Sequence, residues 1–141
     1  MNIWLLDNPL RAKLERLLTL QKRELVFGDC HIVSERAGFR VIRDQQLRDI
    51  ALWPSIQVII AHKRDLITMD LICFDVLLDD GDLIEVNEEM YGFESLLAAM
   101  ERNLPRFDKR WPDKVVEPPF AANQTVIYSA GSKSEDLSLQ K

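Results

Sequence analysis

The chain has 141 residues, of which 47% are apolar and 29% charged, and its formal net charge is −5. This composition is typical of one globular domain, and the negative charge argues against a nucleic-acid binder, which needs clustered Lys and Arg. The two cysteines, Cys30 and Cys73, are too few for a disulfide framework and lie in apolar runs, so we expect free, buried thiols.

The N-terminal segment, residues 1–22, is predicted to be an amphipathic helix. Asn8 can cap it and Pro9 suits its first position. One apolar stripe then follows at helical spacing: Leu10, Leu14, Leu17 and Leu18. We expect this stripe to pack on the domain or to pair with a second copy in a homodimer. Asp7 and Arg11 interrupt the only early apolar stretch, and no run is long enough to span a bilayer, so we expect a cytoplasmic protein without a membrane segment.

Residues 23–128 are predicted to form one domain of short antiparallel strands. The predicted strands are residues 25–27, 30–34, 38–42, 56–62, 68–78, 83–87 and 125–128, with 47–52 open between a strand and a helical turn. Lys63-Arg64-Asp65 reads as a charged connection and Asp80-Gly81 as a hairpin turn. The apolar spacing predicts a helix over 93–104, stopped by Pro105, and Trp111 as an anchor. Residues 129–141 are polar and are predicted to be disordered.

This order predicts an α+β fold, in which a strongly bent antiparallel sheet or partly open barrel is capped by the helix 93–104. The layout resembles the pleckstrin-homology (PH-like) superfold. A narrower set of motifs covers residues 53–128: Trp53-Pro54, Ile56, Ile59, Ala61-His62-Lys63-Arg64-Asp65-Leu66, Asp70-Leu71-Ile72-Cys73, Glu85-Val86-Asn87-Glu88-Glu89, Gly92 and Pro118-Pro119-Phe120-Ala121-Ala122-Asn123. It resembles a small family of uncharacterised bacterial proteins. The resemblance implies a PH-like fold and a bacterial cytoplasmic origin, and it attaches no activity.

One group of polar residues is the candidate binding site. In an antiparallel meander the connection after residue 62 comes near the end of the strand 83–87, so Lys63 and Arg64 are expected to meet Asp70 or Glu88. The full set is Lys63, Arg64, Asp65, Asp70, Glu85, Asn87 and Glu88. Such a set either fixes the hairpin through ion pairs or forms a recognition site at the mouth of the barrel.

We expect no metal and no cofactor. Four side chains have the atom types for zinc, namely Cys30, His31, His62 and Cys73, but none stands in a C-x₂-C or H-x₃-H pair. The turn 79–82 is too compact for a calcium loop. The chain also lacks a G-x-S-x-G motif, a P-loop and a G-x-G-x-x-G motif, which favours a protein that is not an enzyme.

The leading functional hypothesis is therefore a PH-like protein-binding module that uses an open strand edge or the barrel mouth. The alternative is an immunity or inhibitor protein, because residues 49–100 hold eleven Asp and Glu against two Lys and Arg and could cover a basic partner. Phosphoinositide binding ranks last, since only Arg36, Arg40 and Arg43 offer a basic pocket.

Overall fold

β-strands dominate the described part of the chain, which is residues 29–66, 69–115 and 124–131 of a computed structural model. In chain order the elements are β1 (Cys30–Ser34), β2 (Gly38–Arg43), β3 (Gln46–Leu52), β4 (Ile56–Asp65), β5 (Asp70–Leu78), β6 (Leu83–Asn87), α1 (Phe93–Asn103), α2 (Trp111–Val115) and β7 (Thr125–Ser129). The strands form two antiparallel sheets, ordered β1-β2-β3 and β6-β5-β4-β7, which do not close into one barrel.

This arrangement confirms the α+β class and the prediction of mainly antiparallel strands. The segment 47–52, which the sequence left undecided between a strand and a helical turn, is part of strand β3. Ser129, which the predicted tail included, is the last residue of β7. The predicted helix of residues 1–22, the strand 25–27 and the tail beyond residue 131 lie outside the described residues. Within the described ranges no helix is long and apolar enough to cross a membrane.

The three-stranded sheet carries a β-bulge that determines what its outer strand displays. The ladder between β2 and β3 shifts register after Val41, and Arg48 is the extra residue of β3. Residues directly opposite each other in a ladder share a face of the sheet. The bulge therefore places Leu47 on the same face as Ile50 and Leu52, instead of on the opposite one.

A 3-10 turn, Trp53–Ser55, links β3 to β4 and so joins the two sheets. The indole of Trp53 is buried, and its Nε1–H points to the carbonyl oxygens of Glu35 and Arg36 at 3.3 and 3.1 Å. The ring also packs against Phe39, with centroids 5.9 Å apart. Trp53 thus fixes the corner between the two sheets, because the one polar atom of the buried indole is satisfied.

The four-stranded sheet is built around the long hairpin of β4 and β5. The turn between β5 and β6 confirms the hairpin predicted at Asp80-Gly81. Gly81 has φ +96°, and its N–H donates to Leu78 O at 3.0 Å. Both faces of this sheet are buried. Four residues that face away from the aromatic core are 0% exposed, namely Val58, Ile60, Leu71 and Leu77. Burial on both faces explains why these strands read as nearly continuous apolar runs.

Phe74 lies at the centre of the core between the sheet and the helices. Its ring makes edge contacts with Phe93 of α1 at 5.2 Å and with Trp111 of α2 at 5.0 Å. The predicted helix and the predicted Trp111 anchor are therefore confirmed. The helix ends at Asn103, one residue earlier than predicted, because Pro105 forces Leu104 into an extended conformation.

The segment between β6 and α1 is hydrogen-bonded to β1. Ile32 N–H donates to Tyr91 O at 2.7 Å, and Tyr91 N–H donates to Cys30 O at 3.1 Å. Gly92 follows with φ +90°, and a Cβ at this position would lie 2.1 Å from Ile32 O. Only glycine fits this place, because the backbone conformation and the space both exclude a side chain.

Candidate functional site

The seven predicted site residues lie in or beside β4, β5 and β6, but on both faces of the sheet. The prediction that 63–65 form a connection is wrong, since they are the last three residues of β4 and pair with β5. Beyond the end of β4, Leu66 N–H donates to Met69 O at 2.9 Å, and β5 begins at Asp70. Because side chains alternate along a strand, Lys63 and Asp65 lie on one face and Arg64 on the other.

Lys63 and Asp70 meet as predicted, with 3.6 Å between Nζ and Oδ2. The Lys63 side chain is 4% exposed and the Asp70 side chain 23%, so solvent reaches the pair mainly at the carboxylate. Glu88 has a different partner from the one predicted: its Oε1 accepts a hydrogen bond from Ile72 N–H at 2.9 Å. This group therefore holds the open end of the β4–β5–β6 ladder together.

The other face of these strands carries a second group, here called the polar cluster: His62, Arg64, Cys73, Asp75, Glu85 and Asn87. In the ladder His62 is opposite Cys73, Cys73 is opposite Asn87, and Asp75 is opposite Glu85. The sequence suggested His62 and Cys73 together only in a zinc set with Cys30 and His31, and it did not group them with Asp75. The available signal was the register of the hairpin, since counting back from the pair Asp65 and Asp70 places His62 opposite Cys73.

Two carboxylates of the polar cluster have cationic or ionisable neighbours. Arg64 Nη2–H donates to Glu85 Oε2. Burial opposes the charge of the guanidinium, but the neighbouring groups, with Glu85 first among them, together outweigh this effect and raise the pKa of Arg64. His62 Nε2 lies 2.8 Å from Asp75 Oδ2, yet neither of these buried atoms makes a hydrogen bond within the described part of the chain.

Cys73, His62 and Asp75 have the residue types of a nucleophile, a base and an orienting acid, but the thiol is not activated. Burial, with the charge of Glu85, raises the pKa of Cys73 to about 12. A cysteine nucleophile needs a lowered pKa and an accessible sulfur, whereas Cys73 is 0% exposed. The arrangement is therefore better suited to holding a ligand than to attacking one.

We expect both cysteines to be unreactive in the folded protein. A shift from 9.0 to about 12 leaves Cys73 with on the order of a thousandfold less thiolate than an ordinary cysteine at neutral pH. A colorimetric disulfide reagent should therefore label neither thiol until denaturant is added, and then both. In the variant Cys30→Ser, Cys73 is the remaining thiol, so any labelling measures its reactivity. Rapid labelling of this folded variant would show an accessible thiolate and contradict the expectation that Cys73 is unreactive.

The polar cluster also contains a set of atoms suited to a metal ion. The ligand atoms of His62, Cys73 and Glu85 all lie within 4.8 Å of one another. The other two residues considered for zinc, Cys30 and His31, lie on β1 in the other sheet, where His31 stacks on Tyr91 with centroids 5.1 Å apart. The structure thus places Cys30 and His31 apart from His62 and Cys73, and it brings Glu85 to the latter pair instead.

The outer strand of the small sheet presents a second candidate surface. Three large apolar side chains of β3 are about half exposed, at 52% for Leu47, 53% for Ile50 and 49% for Leu52. We call these three residues the β3 surface. Nearby on β2, Arg40 Nε is paired with Glu35 Oε1 at 3.0 Å, which reduces the positive charge available for a phosphoinositide.

Comparison with known proteins gives no assignment for either surface: no protein-family model, no curated protein and no solved structure matches this chain.

Proposed function

We propose that the chain is a cytoplasmic protein-binding module with a PH-like fold, which takes an extended segment of a partner protein onto β3. The observation that carries this proposal is the β3 surface, three large apolar side chains on the outermost strand of the β1-β2-β3 sheet. Proteins usually protect an edge strand with charges or prolines, because an exposed apolar edge invites association. β3 does carry Arg48 and Asp49, but one of its faces exposes the three apolar side chains together, which favours a surface that a partner covers.

The binding mode would be strand addition. A partner strand laid along β3 extends the sheet through main-chain hydrogen bonds, and alternate side chains give specificity. Leu47, Ile50 and Leu52 share one face because of the bulge, so they offer one continuous apolar strip. The β1 side of the same sheet is hydrogen-bonded to Tyr91, which leaves β3 as the side suited to a partner.

Two features support the PH-like and cytoplasmic parts of the proposal. The chain has two antiparallel sheets that stay open, with α1 packed against the core through Phe93, as in the predicted layout. One difference from a helix-terminated PH layout is that β7 follows α1 and pairs with β4. Cys30 and Cys73 are free and buried, which suits a reducing compartment.

The test is the substitution Ile50→Lys, which places a charge in the middle of the β3 surface. The partner would be captured from source cells on immobilised wild-type protein, identified, purified and titrated by calorimetry. We expect Ile50→Lys to weaken its binding at least about tenfold, because a central apolar contact is lost. The melting temperature should be unchanged, since Ile50 is 53% exposed.

Met69→Lys is the matched control, since Met69 is also a partly exposed apolar residue, at 40%, but borders the β4–β5 turn. It should bind the partner as the wild type does. Equal affinity of Ile50→Lys and wild type would contradict the proposal. Binding only to a second copy of the chain, seen by ultracentrifugation, would contradict it as well.

The inhibitor hypothesis is the second candidate, and one observation favours it. A depression of about 380 Å³ at the start of α1 is lined by residues 88–95 and includes Glu88, Glu89 and Glu94. The acidic excess of the sequence is only partly on the surface, however, because Asp75 is 2% exposed and the Glu85 side chain 11%. A partner lost with Glu89→Lys and with added salt, but kept by Ile50→Lys, would favour this candidate.

A further inference from the structure

The polar cluster brings together three classes of metal ligand on neighbouring strands. A thiol, an imidazole and a carboxylate meet on the face of β4, β5 and β6 that is turned away from the aromatic core. We propose that His62, Cys73 and Glu85 bind a zinc ion, with Asp75 as the fourth group of the site. This inference does not rest on the proposed function, because the polar cluster and the β3 surface lie on different sheets.

The donor set fits zinc better than calcium or magnesium. Zinc accepts thiolate, imidazole and carboxylate together, whereas calcium and magnesium take oxygen ligands only. Bonds of about 2.0–2.3 Å to a tetrahedral zinc place ligand atoms roughly 3.3–3.8 Å apart. The three ligand atoms already lie within 4.8 Å of one another, so small side-chain rotations suffice to reach that spacing.

Asp75 and His62 supply the second observation. Two buried polar atoms, His62 Nε2 and Asp75 Oδ2, are 2.8 Å apart but have no hydrogen-bond partner among residues 29–66, 69–115 and 124–131. Buried polar atoms normally have one, because leaving them unpaired costs about 1–3 kcal/mol each. Metal binding would satisfy both: Asp75 either becomes a ligand itself or turns to accept the imidazole N–H, as carboxylates do beside zinc-bound histidines.

Arg64 is compatible with an ion at this place. It donates to Glu85 Oε2, which leaves the other carboxylate oxygen for a metal, and hydrogen-bonded carboxylate ligands are the rule in metal sites. The charges also agree. Asp75 and Glu85 bring two negative charges against one positive charge from Arg64, whereas a divalent ion bound to the Cys73 thiolate makes the buried site neutral.

The experiment is a cobalt titration of the whole protein after removal of metal with a chelator. Cobalt(II) is a spectroscopic substitute for zinc, and a cobalt–thiolate bond gives a charge-transfer band in the near ultraviolet. We expect a band that saturates at one equivalent, that zinc displaces, and that is accompanied by a rise in melting temperature. Cys30 and Cys73 are the only thiols in the chain, so the band can arise only from them.

Cys30→Ser is the matched control and should keep the full band, since Cys30 lies on β1 in the other sheet. Glu85→Gln should weaken cobalt binding at least tenfold, and Cys73→Ser, if it folds, should abolish the band. No band with wild-type protein would overturn the proposal, because the thiolate of the polar cluster would then not bind the metal. A band lost with Cys30→Ser, or cobalt binding unchanged by Glu85→Gln, would overturn it equally.

Discussion

Replacing Phe74 with alanine is expected to lower the free energy of unfolding by about 3–5 kcal/mol, the usual cost of removing a buried phenylalanine ring. Phe74 is 0% exposed and makes edge contacts with Phe93 and Trp111. It is therefore the side chain through which β5 holds α1 and α2 at once. Without the ring, the two helices lose their shared contact and a cavity is left that the rigid sheet cannot close.

Denaturant unfolding followed by tryptophan fluorescence would measure this loss, since Trp111 reports on the same contact. Tyr91→Ala is the control, because Tyr91 is also aromatic but 70% exposed, and it should cost less than about 1 kcal/mol. Similar losses in the two variants would mean that Phe74 is not the centre of the core.

Replacing Arg64 with methionine is expected to cost about 3 kcal/mol, because it leaves buried charge without its partner. The Arg64 and Glu85 side chains are 25% and 11% exposed, so solvent compensates only in part. The reverse change, Glu85→Leu, should cost less. It leaves Arg64 near Asp75 and the polar cluster neutral, whereas Arg64→Met leaves two negative charges there.

The double variant Arg64→Met/Glu85→Leu should recover most of the stability that Arg64→Met loses, because it restores the charge of the wild-type cluster. Chemical denaturation in the presence of a chelator gives the three free energies and keeps metal binding out of the comparison. If the two single losses simply add in the double variant, the ion pair makes no contribution of its own. The argument that the remaining charge sets the stability of these variants would then be wrong.

Local signals in the sequence were enough to predict most of the elements. Gly81 supplies the positive φ of the tight turn, Pro105 ends α1, and the spacing of Phe93, Leu96 and Met100 gives a helix with one buried face. These are properties of a few neighbouring residues. They survive in the folded chain because tertiary packing supports the same local conformations.

The candidate site was harder to predict, because it depends on pairing between strands. The run Lys63-Arg64-Asp65 has the composition of a connection, yet β5 continues alongside it and draws it into the ladder. The prediction ended this strand at residue 62, whereas β4 ends at Asp65. It therefore put Lys63 and Arg64 in one cluster, although the strand separates them onto opposite faces. His62 and Cys73 are eleven positions apart, and only the register of the hairpin makes them neighbours.

The backbone contact between Tyr91–Gly92 and β1 has a mechanical consequence. These peptide groups belong to the edge of the small sheet and to the entry of α1 at the same time. Pulling β1 away must therefore drag the helix with it, and the helix in turn is fastened to the large sheet through Phe93 and Phe74. The two sheets and α1 should therefore unfold as a single cooperative unit. The contact that couples them depends on Gly92, because no larger residue fits at that position.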